Sequence, residues 1–243
     1  MKIQELVLKT KKQNWQEKLK FIASLPLRSA FSTSFSIEDQ VITNFIAVNN
    51  LPIEIFTIDT GRLPEETLKV WQDTTQKYQI KITSYYPDHS ELEKFVGENG
   101  VNPFYQSKEL RLSCCKIRKI EPLKRALNNK ELWISGLRKE HSSNRAEKDF
   151  FEYDQNLNLI KFYPILDLTE EELWEYIRKN QIPFNELYEK GYKSIGCAPC
   201  SREVLEGEDV RAGRWWWESD QTKECGLHNI NGKLVRIKNV GSK

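Results

Sequence analysis

The stretch Ile53-Glu54-Ile55-Phe56-Thr57-Ile58-Asp59, followed by Thr60-Gly61-Arg62-Leu63-Pro64, decides how the rest of the chain is read. A short apolar run rich in β-branched residues and closed by a Thr-Gly turn reads as a buried strand. Pro64 then stands where a first helical residue belongs, since its missing N–H is no loss there. Thr67, Leu68, Val70, Trp71 and Tyr78 carry that helix onward. Upstream, Arg28-Ser-Ala-Phe-Ser32 reads as a strand, Thr33-Ser34-Phe35-Ser36-Ile37 as a loop, and Glu38-Asp39 as the opening of a helix through Val41, Ile42, Phe45, Ile46 and Val48. Downstream, residues 80–85 form a third strand. This β-α-β-α-β order predicts an α/β fold, a parallel twisted sheet with helices on both faces and right-handed crossovers. Ligands of such sheets bind at the carboxyl ends of the strands, so residues 32–36 and 59–63 are expected to converge on one crevice. Strand, small polar loop and helix N-terminus together suit a phosphate, although serines also cap ordinary helices.

Outward from this unit, residues 1–22 read as one amphipathic docking helix, and a helix is expected around 91–96. Leu132-Trp-Ile-Ser135 reads as a fourth strand that delivers Gly136, Arg138, His141 and Arg145 at its carboxyl end. Residues 150–153 and 159–163 read as a hairpin, Thr169-Glu-Glu-Glu172 as a capping box, and 184–188 as a short helix. The pattern predicts one domain over residues 1–217 and a mobile tail over 218–243, of which 229–243 lack a core pattern.

Across the 243 residues, 39% are hydrophobic and 30% charged, which supports a buried core. A net charge of +2 gives no field that would by itself draw nucleic acid or membrane. No apolar run approaches a membrane span, and the first residues lack a signal-peptide core. Five cysteines, an odd number, disfavour a fully paired disulfide framework and fit a reducing cytoplasm.

The cysteines fall in two pairs and a single: Cys114-Cys115, Cys197-Ala-Pro-Cys200 and Cys225. Four soft thiolates suit Zn²⁺ or an iron–sulfur cluster. Zinc sites with four cysteines are usually built from two Cys-x-x-Cys knuckles. An adjacent pair departs from that pattern and suits a larger partner with separate iron corners. Lys116, Arg118, Lys119 and Arg125 crowd the first pair. Such a run ordinarily marks a solvated helix face, but beside four thiolates it would tune a cluster or hold an anion. Arg211 and Arg214, three residues apart, share one side of a helix or turn and suit phosphate or sulfate. Trp215-Trp216-Trp217 cannot all face one way.

These residues resemble a known family. Ser34-Phe-Ser-Ile-Glu-Asp39, Asp59-Thr-Gly-Arg-Leu63, both cysteine pairs, Ser135-Gly-Leu-Arg-Lys-Glu-His141 and Lys223-Glu-Cys-Gly-Leu-His228 are similar to the assimilatory adenylyl-sulfate reductases, thioredoxin-dependent relatives of phosphoadenylyl-sulfate reductase. The resemblance implies an adenine nucleotide α-hydrolase-like fold with a modified pyrophosphate loop. It implies a [4Fe–4S] cluster on Cys114, Cys115, Cys197 and Cys200, and a nucleophile at Cys225. That thiolate would attack the sulfur of adenylyl sulfate and release AMP, and thioredoxin would then free sulfite. His228, Arg211 and Arg214 would lower the thiol pKa. Lys119 would lie between cluster and sulfate, and Arg138 and Arg145 would hold phosphate or sulfate oxygens. Ser32, Ser34, Ser36, Thr60, Gly61, Arg62, Leu63 and Gly136 would receive the nucleotide. Family members commonly form homo-oligomers. Three rivals remain open at this point: the same chemistry on 3′-phosphoadenylyl sulfate, a sulfur transferase acting on tRNA, and a zinc-stabilised binding module.

Overall fold

The computed structural model describes residues 3–141 and 148–218. Its elements in chain order are α1 (Ile3–Thr10), α2 (Trp15–Ala23), β1 (Ser29–Ser32), α3 (Ile37–Val48), β2 (Glu54–Ile58), α4 (Glu65–Tyr78), β3 (Thr83–Tyr85), α5 (His89–Asn99), α6 (Lys108–Cys115), α7 (Glu121–Ala126), β4 (Leu132–Ile134), β5 (Phe151–Asp154), β6 (Leu159–Phe162) and α8 (Glu170–Asn180). The six strands form one sheet in the order β3-β2-β1-β4-β6-β5. Every pairing is parallel except β5 with β6, the expected hairpin.

Alternation along the strands sorts the core onto two faces. Phe31, Ile55, Leu132, Ile134 and Phe162 face one way, with Val41, Ile42 and Phe45 of α3, Val70 of α4 and Leu173 and Ile177 of α8. Ala30, Phe56 and Trp133 face the other, against Leu123, Ala126 and Leu127 of α7 and the residue that follows it. Helices therefore cover both faces, and runs such as Leu132-Trp-Ile134 are apolar throughout because neither face meets water.

Two expectations need correction. The amphipathic segment 1–22 is two helices, because Asn14 caps α2 with a reciprocal bond to Glu17 and stops continuation from α1. Pro64 is the capping position of α4 instead of its first helical residue. Cys114 and Cys115 close α6, and a single π-helical turn over Lys116–Ile120 joins α6 to α7. By contrast Thr169 and Glu172 form the capping box at α8 as read from sequence.

No helix among the described residues is long and apolar enough to cross a membrane.

Candidate functional site

Chain order and strand order together place the site. From β1 the chain steps to β2 and β3 on one side, while β4, β6 and β5 lie on the other. The direction of winding reverses between β1 and β4, and loops leaving those two strands diverge and open a crevice. A cavity of about 270 Å³ lies there. The loop after β1 brings Ser32, Ser34 and Ser36 to its wall, the loop after β2 brings Thr60 and Leu63, and the loop after β4 brings Gly136. Lys119, Arg211 and Arg214 also line it. Nine of the residues singled out from sequence thus meet in one place.

The loop after β1 is strained and firmly tied. Phe35 has φ of 62°, unusual for a bulky side chain. Its ring is held against Trp71, with centroids 5.6 Å apart, and that packing sustains the backbone turn. Ser36 caps α3 by accepting from Asp39 N–H. Asp39 replies by accepting from Ser34 N–H at 2.6 Å and Ser34 Oγ–H at 2.7 Å. Burial raises the Asp39 carboxyl to about 6, against the opposing pull of Ser34 and of the Gly136 N–H, with Glu38 adding to the rise. Gly136 is required where it stands, since a Cβ there would overlap Asp39 Oδ1.

Other expected residues are placed differently. Gly61 and Arg62 are not part of the crevice wall; Arg62 donates to Asn102 Oδ1 and the Val101 carbonyl, both at 2.7 Å, and lines a second cavity. Arg138 does not present its guanidinium to the crevice. It is buried, 3.0 Å from Glu38 Oε1, also bonded to Glu140 and to the Leu168 carbonyl, so it braces α3 instead of holding an anion. Arg145, Cys225 and His228 lie outside the described residues. Sequence reading missed Asp39, Trp133, Tyr188, Lys193 and Ser194 as wall residues. Asp39 was visible only as a helix opener, and Trp133 only as a strand residue. Its indole N–H reaches Ser32 Oγ, 2.8 Å away, through the β1–β4 pairing.

The second cavity adjoins the crevice. Cys114, Cys115, Cys197 and Cys200, all buried and in no disulfide, line it with Arg62, Arg111, Arg118, Lys119, Arg214 and Trp215. Lys119, Arg214 and Trp215 belong to both cavities. Burial pushes the Cys114 thiol up and carries Cys200 to about 11, with Cys197 adding to the latter. Burial also acts on Cys197, but Lys119, a hydrogen bond to Thr60 Oγ1 at 3.3 Å, Arg214 and Arg118 outweigh it and hold that thiol below its ordinary value. The guanidinia of Arg111 and Arg214 lie over the Trp215 ring, 4.7 Å and 4.8 Å from its centroid. Arg111 continues to a bidentate pair with Glu218, and Arg214 Nε donates to the Cys200 carbonyl at 3.0 Å. Trp217 and Trp216 divide as the sequence required: Trp215 is buried, Trp217 donates to the Phe104 carbonyl, and Trp216 is exposed.

The donor set suits a polynuclear iron–sulfur group. Four sulfurs share one cavity. Two buried donors, Arg118 Nε and Trp215 Nε1, have no hydrogen-bond partner among the described residues, and both residues line this cavity. Cationic walls and free donors are what a net-negative thiolate cluster needs.

The family model described as phosphoadenosine phosphosulfate reductase domain matches residues 28–203. An adenosine 5′-phosphosulfate reductase from Allochromatium vinosum is 48% identical over 82% of this chain and 77% of its own length. Among solved structures, the phosphoadenylyl-sulfate (PAPS) reductase from Candida auris, in a phosphate complex, superposes with a TM-score of 0.71 at 25% identity, covering 84% of this chain and 98% of that one. The FMN adenylyltransferase of Candida glabrata, at 13% identity and a TM-score of 0.54 over 90% of this chain and 78% of its own, shares the fold.

Proposed function

The chain belongs to the phosphoadenosine phosphosulfate reductase domain family, and from that premise we propose that it reduces adenosine 5′-phosphosulfate to sulfite and AMP, in sulfate assimilation, with a thioredoxin-type dithiol as donor. The observation that carries the reading is the shared wall. A nucleotide-sized crevice at the strand ends and a four-thiol cavity meet at Lys119, Arg214 and Trp215. A ligand whose adenosine end lies along the β1 and β4 loops would bring its phosphosulfate to that wall, where Lys119 and Arg211 supply positive charge.

In this mechanism the Cys225 thiolate attacks the sulfur of the phosphosulfate anhydride. An S–S bond forms, the bridging S–O bond breaks, and its electron pair leaves with AMP. Charge developing on the leaving phosphate is offset by cations already fixed at the crevice. A thiolate of the external dithiol then attacks Cys225 Sγ and expels sulfite, and its second thiol resolves the mixed disulfide. His228, Arg211 and Arg214 keep the Cys225 thiol ionised. Cys114, Cys115, Cys197 and Cys200 would hold a [4Fe–4S] cluster. Bound there, the cluster would supply fixed charge and scaffolding beside the sulfate end. The protein acts in the cytoplasm as a homo-oligomer, needs no nucleic acid and no membrane, and keeps its catalytic cysteine on the tail 218–243.

The relatives named for adenosine 5′-phosphosulfate favour that substrate over its 3′-phosphorylated form. Anaerobic incubation with ³⁵S-labelled adenosine 5′-phosphosulfate and no reductant tests the mechanism. Label remains on the wild-type protein and is absent from Cys225→Ser, whose sulfite release with thioredoxin falls by at least about 10³-fold. Equal labelling of both proteins overturns the assignment of Cys225. Turnover of the 3′-phosphorylated substrate at equal or higher kcat/KM overturns the substrate assignment.

A further inference from the structure

One buried acid in the crevice has no part in the chemistry above. Asp39 is 7% exposed and lines the cavity expected to hold an anion, where a carboxylate is out of place unless it serves something else. One of its oxygens accepts both Ser34 donors, at 2.6 and 2.7 Å. Its other oxygen lies against Gly136, where an added Cβ would overlap Oδ1. Ser34 belongs to the loop leaving β1 and Gly136 to the loop leaving β4, the two loops that separate to form the crevice. We propose that Asp39 is a positioning residue whose carboxylate brackets these two loops and so sets the width of the crevice for the nucleotide. The inference rests on reading that crevice as the nucleotide site.

Three features support the bracket. Gly136 leaves no room for a Cβ against Asp39 Oδ1, so the two groups are in contact and not merely near. Phe35, between the bonded Ser34 and the capping Ser36, keeps a left-handed backbone, a conformation that persists only where its surroundings enforce it. Asp39 is also tied from below, its own N–H donating to Ser36 Oγ at 3.4 Å, so the carboxylate has little freedom to follow a moving loop.

Protonation places a hydroxyl where an acceptor is needed and loosens the bracket. The charged and titratable groups around Asp39 are Glu38, which is paired with Arg138; Tyr188 of the turn facing α3; and Lys119, Lys193 and Arg211 of the crevice wall. Burial places the Asp39 transition at about 6, which is within reach of binding experiments.

The test is AMP binding by calorimetry on the intact protein between pH 5 and 8, wild type against Asp39→Asn, with thermal melts to verify folding. AMP ionises in this range as well, but both proteins see the same AMP, so the ratio of their dissociation constants isolates Asp39. At pH 7.5 Asp39→Asn is expected to bind at least tenfold more weakly, with the difference shrinking toward pH 5. Gly136→Ala, which displaces the carboxylate from the other side, is expected to lose a similar factor, and the double variant little more than either alone. A repulsive carboxylate would give the opposite result, tighter AMP binding in Asp39→Asn, and that overturns the inference. So does a ratio of one at every pH. If the wild type binds no AMP at all, the nucleotide reading of the crevice falls first and this inference falls with it.

Discussion

Hydroxyls, backbone, the buried carboxylates Glu38 and Asp39 and a basic rim of Lys119, Lys193, Arg211 and Arg214 line the crevice, while the adjoining cavity is walled by four thiols and the cations Arg62, Arg111, Arg118, Arg214 and Lys119. The first is made by the sheet. Its loops leave neighbouring strands whose register is fixed by hydrogen bonds, so it stands open as soon as β1, β2 and β4 pair. The second is made by segments far apart in sequence, the end of α6 and residues 197–200, which the sheet does not pair. Both are tied to the loop after β2: Arg118 Nη1 donates to the Thr60 carbonyl at 2.6 Å and Ala198 N–H to the Arg62 carbonyl at 2.8 Å, while the Trp215 ring carries the guanidinia of Arg111 and Arg214 against it. The difference teaches that substitutions in the crevice should change affinity with little loss of fold, whereas substitutions in the cavity should cost both metal and stability.

The largest effect expected on this basis is at Cys197. Cys197→Ser removes a thiol that Lys119, Thr60, Arg214 and Arg118 hold below its ordinary value against the effect of burial. Less than half the wild-type iron and acid-labile sulfide should remain after anaerobic purification, with a melting temperature several degrees lower. Full retention of both would break the comparison. Next comes Arg118→Met, which keeps bulk but strips the Thr60 carbonyl of its charged donor. A loss of about 2–3 kcal/mol in chemical denaturation is expected, from one charge-assisted bond and the buried acceptor left behind.

Asp39 gives a smaller effect that separates fold from function. Its folded pKa of about 6 lies above the ordinary 3.8, so the native state binds the proton more readily than the unfolded chain. Stability from this group is therefore present at pH below about 4 and is lost as pH rises through 6. Asp39→Asn should flatten that part of the stability curve measured by urea unfolding from pH 4 to 7. An unchanged slope would place the titrating group elsewhere. Smallest is Trp133→Phe, which removes the N–H bonded to Ser32 Oγ while the ring remains packed on α7. AMP affinity should fall by a few-fold, about 1 kcal/mol, with the melting temperature nearly unchanged.

Much of the fold was readable without coordinates because strand and helix carry their own signals. The run 53–59, the Ser36 cap and the Thr169 capping box each depend on residues within a few positions of one another. Two departures from the local pattern share a cause. Asn14 interrupts an amphipathic pattern that periodicity alone would continue, and the residues after the cysteine pair, Lys116–Ile120, form a π-helical turn, a departure from the 3.6-residue repeat that no local pattern announces. For the site, loops at strand ends were legible as candidates, but the commitment of an individual arginine was not. Arg138 and Arg211 look alike in sequence. One is locked to Glu38, a hundred residues earlier, and the other lines the crevice.

The sequence by itself determined the order of strands and helices, the two thiol pairs and the family, since each is written in short-range spacing and residue type. Tertiary structure alone decided that β1 lies between β2 and β4, that Trp133 meets Ser32, and that Asp39 reaches from its helix to two loops. The β1–β4 pairing, the Trp133–Ser32 bond and the Asp39–Gly136 contact join residues about a hundred positions apart, and their existence depends on strand order and on burial, quantities that arise only when the sheet closes its two faces.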